Sequence, residues 1–302
     1  NRLTVAVCAF NEGKNIGHLL NNILYKQALS CDSEVLVVCS GCTDTTNNIV
    51  QQYAAKDSRI HAHFEEQRTG KTSAVNYILK HANGDILLFV SADTLPKKGT
   101  FAKLISKLAD PQVGVACGNP KPVNEKTSLV GKLVQLLWGF HGYVFESLND
   151  HGLARHATEI FCVRKGIVDK LPAGTINDDA YIAITAKKKG WLIKYDPQAQ
   201  VFIHGPDSFQ EYFQQRRRII FGHYQIRKLT GESPQYLVHM MPTHPLQAFR
   251  LLPWLFIKNS PFVTAAFLFA EFWVNALAIS DYIVGKNYAQ WSALESTKSL
   301  VG

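Results

Sequence analysis

Acidic and amide side chains follow three strand-like segments of the chain, each at the point where the segment ends. With the alanines beside them, these residues are Ala9, Asn11, Glu12, Asp44, Ala92 and Asp93. Carboxylate oxygens bind hard divalent cations and accept hydrogen bonds from ligand hydroxyl and amide groups. For Asp44 alone, capping of the following helix is an equally good interpretation. Because carboxylates follow all three segments, the pattern as a whole favours a ligand-binding site.

A basic cluster lies between these segments, in the run Arg68-Thr69-Gly70-Lys71-Thr72. The run resembles the end of a phosphate-binding P-loop, but Glu65 stands where the first glycine of that motif is required. The backbone loop that cradles a phosphate is therefore missing. Two cations and a glycine at a helix start still favour an anion such as a diphosphate. Asn76 follows in the same helix, and a surface position is its alternative interpretation.

The spacing of apolar residues predicts the elements that position these side chains. Short apolar runs alternate with segments of helical periodicity, which is typical of an open α/β sheet. The predicted strands are Leu3 to Ala9, Val35 to Cys39, Arg59 to Phe64 and Ile86 to Val90, and the predicted helices cover 16–24, 45–56 and 72–81. Ligands of such sheets bind outside the carboxyl ends of the strands. The acidic residues above lie at those ends.

The alternation is less regular in the rest of the chain. Helices are predicted at 100–108, 128–148, 179–188 and 211–229, and strands at 113–117, 159–163, 191–195 and 200–204. Farther on, Leu246 to Ile257 is rich in Trp, Phe and Leu. Phe262 to Val284 is long enough to cross a bilayer, and Glu271 and Asp281 are its charged residues. A buried helical hairpin is the alternative, but the composition favours contact with a membrane.

Composition and charge exclude several classes of protein. The 302 residues are 46% hydrophobic and 19% charged, which is not the composition of a disordered or collagen-like chain. A net charge of +8 suits phosphates, other polyanions or an anionic membrane surface. Six cysteines are too few for a disulfide scaffold and indicate a reducing compartment. The chain begins at Asn1 without a Met, so an upstream segment is an open alternative.

These residues together resemble the family 2 glycosyltransferases with a GT-A fold, over about residues 3–229. The motif Ala/Pro-x-Asn-Glu after the first strand is similar to Ala9 to Glu12, and a Gly-Ser-Thr-Asp-x-Thr-like loop is similar to Gly41 to Thr46. The family's Gly-Lys-x-x-Ala-x-Asn helix resembles Gly70 to Asn76, and its Asp-x-Asp corresponds to Ser91-Ala92-Asp93. Each motif is weak alone, but their order and spacing are specific.

Two further family motifs have counterparts in the second half of the chain. Asn177-Asp178-Asp179 resembles Thr-Glu-Asp, and the run from Gln215 to Ile219 resembles Gln-x-x-Arg-Trp of membrane-associated, often processive members. The resemblance implies that Asp179 is the general base with Asp178 beside it, and that Arg218 stabilises the leaving nucleoside diphosphate. The alternatives are helix capping for the carboxylates and a solvated basic helix face for the arginines.

The resemblance also implies a donor-binding set, namely Ala9, Asn11, Glu12, Asp44, Arg68, Lys71, Asn76, Ala92, Asp93, Gln215 and Arg218. The sequence departs from the family at Ser91, where the first Asp of Asp-x-Asp is expected, so Asp93 is the carboxylate left for Mg²⁺ or Mn²⁺. His204 resembles the histidine that some relatives supply as a metal ligand, and its alternative is an ordinary surface or core residue. Cys39-Ser40 replaces two Asp, so nucleobase recognition would rest on Glu12 and Asp44.

We therefore expect an α/β protein with a GT-A fold, in which a mixed, mainly parallel sheet is flanked by helices and followed by C-terminal apolar helices. Residues 1–230 would form the catalytic domain, and 231–302 a helical, membrane-associated region. The expected activity is inverting transfer of a sugar, mannose or glucose by family breadth, from a UDP- or GDP-sugar to a glycan or lipid-linked acceptor at the cytoplasmic face of a membrane. No nucleic-acid partner is expected. A non-catalytic sugar-nucleotide-binding protein and a sugar nucleotidyltransferase are the alternatives.

Overall fold

The structure is a computed structural model that describes residues 2–149, 154–234, 245–288, 294 and 296–298. Its strands are β1 (Leu3–Ala9), β2 (Glu34–Ser40), β3 (Ile60–Glu65), β4 (Ile86–Val90), β5 (Thr94–Pro96), β6 (Val113–Pro122), β7 (Ile160–Arg164) and β8 (Leu192–Ile203). Its first helices are α1 (Ile16–Lys26), α2 (Thr46–Lys56), α3 (Lys71–His81), α4 (Thr100–Lys107) and α5 (Leu129–Asn149). They are followed by α6 (Asp178–Lys188), α7 (Phe209–Thr230), α8 (Pro245–Leu251), α9 (Pro253–Lys258), α10 (Pro261–Val284) and a 3-10 turn at Ser296–Lys298.

The strands form one eight-stranded mixed sheet in the order β3-β2-β1-β4-β7-β6-β8-β5. The four strands on one side, β3, β2, β1 and β4, are parallel to one another. β7 is antiparallel to both β4 and β6, while β6 and β8 are parallel. The carboxyl ends of β1, β2 and β4 therefore meet at one edge. This mixed, mainly parallel sheet with flanking helices is the fold class that the sequence predicts.

Both faces of the sheet are covered, because alternate residues of its strands point to opposite sides. Val5 and Val7 of β1 pack in one cluster with residues of α1, α2 and α4, whereas Ala6 packs in a second cluster with residues of α3 and α6. All three β1 side chains are buried. Burial on both faces explains why the central strands read as continuous apolar runs.

Besides shifts of element bounds, such as β6 continuing to Pro122, the structure differs from the predicted elements in β8 and β5. The segments predicted as separate strands at 191–195 and 200–204 belong to one strand, β8, which continues through Pro197. Pro197 is tolerated because the register between β6 and β8 shifts between Tyr195 and Gln200, where no regular ladder hydrogen bond is needed. The short strand β5 is not predicted, since its three residues carry too little pattern to be recognised.

The apolar region after α7 forms helices that pack on the rest of the protein. Leu246 to Ile257 is divided into α8 and α9, with Pro253 in the first turn of α9. In α10, Val263 and Phe267 are buried in a cluster with residues of α5 and α7. Within the described ranges, α10 is the one helix long and apolar enough to cross a membrane. The division at residue 230 into catalytic and membrane-associated parts stays a prediction.

Candidate active site

A cavity of about 920 Å³ lies at the carboxyl ends of β1, β2 and β4 and extends beneath α7 and α10. Most of the residues predicted from the sequence line it: Ala9, Glu12, Arg68, Lys71, Ala92, Asp93, Asp178, Asp179, His204, Gln215 and Arg218. They come from segments far apart in the sequence. The sheet order brings the loops that follow its strands together, and α6 and α7 close the cavity from the other side.

Lys71 stands at the first position of α3, directly after Gly70, whose φ of 94° favours glycine. Its Nζ atom lies 2.9 Å from Oδ1 of Asp178, which is almost fully buried at the first position of α6. Burial alone would lower the pKa of Lys71, but Asp178, Glu159 and Asp179 raise it. Lys71 therefore stays protonated and ties the start of α3 to the start of α6.

Asp179 follows Asp178 in the first turn of α6 and is held by two groups. Its Oδ2 lies 3.2 Å from Nε2 of His156, and its Oδ1 accepts a hydrogen bond of 2.8 Å from the backbone N–H of Ala180. Burial alone would raise the pKa of Asp179, but His156, Lys71 and the Ala180 N–H lower it to about 2. The carboxylate is therefore ionised at neutral pH, which is the form that a general base requires.

Asp93 and His204 are brought together by the pairing of β5 with β8. Thr94 lies opposite Ile203 in this antiparallel pair, so the preceding Asp93 and the following His204 are neighbours at its end. Nε2 of His204 lies 3.1 Å from a carboxylate oxygen of Asp207. A carboxylate on one ring nitrogen is the arrangement that orients a histidine toward a metal through the other.

The electrostatics of Asp93 indicate a place for a cation. Burial, then the carboxylates of Glu12 and Glu159, raise the pKa of Asp93 to about 7. Among the described residues, no three His, Cys, Asp or Glu side chains lie close enough to hold a metal ion by themselves. Asp93 and His204 would therefore supply only part of the ligand set of a divalent cation, and diphosphate and water oxygens would have to supply the rest.

Glu12 follows the end of β1 and lines the cavity, and each of its two carboxylate oxygens contacts another residue. Oε1 lies 3.2 Å from Nζ of Lys298, and Oε2 accepts a 3.1 Å hydrogen bond from Asn15. Lys298 also donates to the backbone carbonyls of Phe10 and Asn11. The 3-10 turn of the chain thus lies against the end of β1. The guanidinium of Arg68 stacks on the other side of this region, 3.8 Å from the centre of the Phe10 ring.

Three consecutive arginines of α7 have different partners because each residue turns about 100° around a helix. Arg216 is buried and forms two hydrogen bonds to Glu271 of α10, at 2.9 and 2.7 Å. Arg217 pairs with Asp281 of the same helix. Arg218 lines the cavity, where burial lowers its pKa while Glu159 and Asp178 act in the opposite direction. A solvated basic face, one alternative for these arginines, does not describe the buried Arg216.

Three predicted donor-binding residues do not line the cavity. The side-chain amide of Asn11 bonds to Thr43, accepting from its backbone N–H and donating to its hydroxyl. Asp44 accepts hydrogen bonds from the backbone N–H groups of Gly13 and Thr46, and so holds the start of α2. Asn76 bonds through both atoms of its amide to the backbone of residue 171, at 3.0 and 2.7 Å. All three connect loops and helices around the cavity.

His156, Glu159 and Lys298 are among the cavity residues that are not predicted from the sequence. His156 stands in a loop without any repeating pattern, and a single histidine carries little signal. Glu159 begins a predicted strand, and only the pairing of that strand with β4 places it in the cavity. Lys298 lies far along the chain from its partners at Phe10 and Glu12. No periodicity could have found these contacts.

The fold brings carboxylates and cations together in one cavity at the end of an α/β sheet. A family model described as "Glycosyltransferase like family 2" matches residues 1–222. The chain belongs to this family, as the motifs predict.

Two curated relatives are similar to this chain. The poly-β-1,6-N-acetyl-D-glucosamine synthase of Staphylococcus aureus (strain COL) is 25% identical over 231 residues, which cover 74% of this chain and 55% of that protein. The probable glycosyltransferase YdaM of Bacillus subtilis (strain 168) is 22% identical over 229 residues, covering 72% and 54%. The chain thus spans about half the length of the curated relatives it matches.

Two solved structures have similar folds. The mannosyltransferase PcManGT from Pyrobaculum calidifontis, in complex with GDP-Man and Mn²⁺, has a TM-score of 0.65 at 21% identity, covering 94% of this chain and 87% of that chain. TarS residues 1–349 of S. aureus, in complex with UDP-GlcNAc, has a TM-score of 0.55 at 16% identity, covering 98% and 95%. These similarities confirm the GT-A fold.

Proposed function

We propose that the protein transfers a sugar from a UDP- or GDP-sugar to a hydroxyl group of a glycan or lipid-linked acceptor, with inversion, at the cytoplasmic face of a membrane. The observation that carries the proposal is the position of Asp179. Its ionised carboxylate lies in the same cavity as Lys71, Arg218 and Asp93. We expect these three residues to bind a diphosphate and a cation.

In the proposed reaction, Asp179 removes the proton of the acceptor hydroxyl as that oxygen forms a bond to the anomeric carbon of the donor. The bond from that carbon to the diphosphate oxygen breaks on the opposite face, which inverts the configuration. Arg218 and Arg68 offset the charge that grows on the departing nucleoside diphosphate. Lys71 holds Asp178 and so keeps the start of α6, with Asp179, in place.

A divalent cation, Mg²⁺ or Mn²⁺, would supply further charge neutralisation for the leaving diphosphate when bound. Asp93 and His204 are the residues that would hold it. His204 is oriented for this by Asp207, and Asp93 lies across the end of the β5–β8 pair. The solved mannosyltransferase of similar fold holds GDP-Man and Mn²⁺, which supports the choice of cation.

The proposal of membrane contact rests on the outer face of α10. Phe262, Phe269 and Ile283 are 67–77% exposed, whereas the two carboxylates of the helix point inward to Arg216 and Arg217. The outer face is therefore apolar and carries no charge that would oppose contact with lipid. Moving several such side chains out of water stabilises attachment by about 1.5 kcal/mol each or more.

The experiment is a screen of donors with purified protein and with native membranes. UDP-GlcNAc and GDP-mannose come first because solved structures of similar fold hold them, and UDP-glucose follows. Release of nucleoside diphosphate that depends on Mg²⁺ or Mn²⁺ is the expected result. Asp179→Asn should lower turnover by about 10²- to 10⁴-fold and leave donor binding measured by calorimetry nearly unchanged. A parallel loss of donor binding would contradict the base role.

Membrane contact has its own test. Because apolar burial is insensitive to salt, the protein should stay with membranes in a high-salt and carbonate wash. Changing Phe262, Phe269 and Ile283 together to Ser should release it from vesicles while Arg216 and Arg217 still anchor the inner face of α10. Complete release of the unchanged protein by salt would refute the apolar contact.

Ser91 favours a second candidate, a protein that binds sugar nucleotides without transferring the sugar. The serine stands where the family has a metal-binding carboxylate. Tight, metal-dependent binding of UDP-sugars without hydrolysis or transfer to any acceptor would favour this candidate. Hydrolysis of the donor without an acceptor would exclude it.

A further inference from the structure

Glu159 lies beside Ser91 on the neighbouring strand of the sheet. Position 91 is where the family motif has a carboxylate that this chain lacks. Val90 of β4 pairs with Ile160 of β7, and the two strands run antiparallel, so Ser91 and Glu159 are opposite each other at the end of the pair. The hydroxyl of Ser91 donates a hydrogen bond of 3.1 Å to Oε2 of Glu159. A carboxylate absent from one strand is thus present on its neighbour.

The second oxygen of Glu159 is available to a ligand. Glu159 lines the cavity, and among the residues that the structure describes, its Oε1 atom has no hydrogen-bond partner. No described cation lies within 4.0 Å of its carboxylate. Lys71 contributes a favourable field but is in direct contact with Asp178. Glu159 is therefore a carboxylate that points into the cavity without a contacting positive charge.

Asp93 resembles Glu159 in this respect, and the two negative charges repel each other. Asp93 follows Ser91 by two residues and lines the same cavity as Glu159. Within the described part of the chain, Asp93 forms no ion pair either. Two uncompensated carboxylates in one cavity are costly until a cation arrives, and a diphosphate adds further negative charge.

We propose that Glu159 is a carboxylate ligand of the divalent cation that holds the donor diphosphate, acting with Asp93 in place of the acid that position 91 lacks. This inference rests on the metal-dependent donor binding in the proposed function. Ser91 then has a role of its own, because its hydrogen bond fixes one oxygen of Glu159 and leaves the other for the cation. An Asp at position 91 would instead repel Glu159.

The experiment measures binding of Mn²⁺ to the full chain in the presence of UDP, by the loss of the electron paramagnetic resonance signal of free Mn²⁺. Glu159→Gln keeps the shape of the side chain and should weaken Mn²⁺ binding by about 10- to 100-fold, at least the loss seen when outer-shell partners of a metal are changed. Ser91→Ala should cause a smaller loss. The exposed Glu146 of α5 provides the control, since Glu146→Gln should leave Mn²⁺ binding unchanged.

The double variant Ser91→Asp, Glu159→Gln returns the carboxylate to the other strand and should recover most of the lost affinity. Matching thermal unfolding of every variant would exclude misfolding as the cause. An unchanged Mn²⁺ affinity in Glu159→Gln would overturn the inference, as would UDP binding by the unchanged protein that is independent of Mn²⁺. If Glu159→Gln weakens Mn²⁺ while the unchanged protein transfers no sugar, the metal ligand stands and the proposed catalytic function fails.

Discussion

Replacing Glu271 tests how the C-terminal helix supports the active site. Glu271 lies in α10, only 8% exposed, and accepts hydrogen bonds from both nitrogens of the Arg216 fork. It also accepts one of 2.9 Å from the hydroxyl of Tyr212. Arg216 in turn is 6% exposed. The charges are thus removed from water and depend on each other.

The expected loss of stability arises because the variant leaves the charge of Arg216 buried without its partner. Glu271→Leu removes the acceptor of the Arg216 guanidinium in a buried setting, which costs about 3–5 kcal/mol in the free energy of unfolding. For a chain of this length the unfolding entropy is about 0.6 kcal/mol per degree, so the melting temperature should fall by about 5–8 °C. Adding Arg216→Met removes both charges and should restore most of the stability, because a buried pair is often replaceable by apolar residues.

Thermal and denaturant unfolding of the three proteins, with Glu146→Leu as a surface control, measures these differences. Since α7 also carries Gln215 and Arg218 into the cavity, Glu271→Leu should weaken UDP binding as well. A single variant that unfolds within about 1 °C of the unchanged protein would refute the idea of a mutually dependent buried pair, since its loss would lie below the range for such pairs. So would a double variant as unstable as the single one.

Three other changes give separate readouts. Asp93→Ala should abolish the Mn²⁺ dependence of UDP binding in calorimetry, and an unchanged titration would remove Asp93 from the metal site. Burial alone would raise the pKa of Glu34, but hydrogen bonds led by that of Thr4 lower it. Its stabilising effect is therefore present above about pH 4.3 and lost as the pH falls further, so the melting difference caused by Glu34→Gln should shrink between pH 5 and 3. Asn76→Ala should lower the melting temperature, because it breaks both hydrogen bonds to Leu171, and leave UDP affinity unchanged.

Sequence periodicity predicts most of the elements, because strands buried on both faces and amphipathic helices leave local patterns. The direction of β7 in the sheet cannot be predicted from its local sequence pattern. It lies antiparallel between two parallel strands, and only this arrangement places Glu159 opposite Ser91. For the same reason the motif resemblance locates Asp179 but gives no sign of His156, whose contact depends on how a loop folds back.

Position in a motif also does not fix the direction of a side chain. Asn76 matches the family helix by spacing, yet it faces Leu171 instead of the cavity. Spacing along a helix specifies which residues share a face, whereas the packing of the helix decides where that face points. Glu12, Asp93 and Lys71 line the cavity because they stand directly after strands or at a helix start, where the backbone itself ends in the cavity.

The arginines of α7 connect α10 to the cavity. Arg216 and Arg217 pair with the carboxylates of α10, and the next residue, Arg218, lines the cavity. The pairs with α10 thus set the rotation of α7 about its axis, and with it the direction of Arg218. Because the opposite face of α10 is apolar and exposed, contact with lipid would stabilise the helix that these pairs depend on. If this coupling exists, the unchanged protein should bind its donor more tightly on vesicles than in solution. The Glu271→Leu variant should show no such difference.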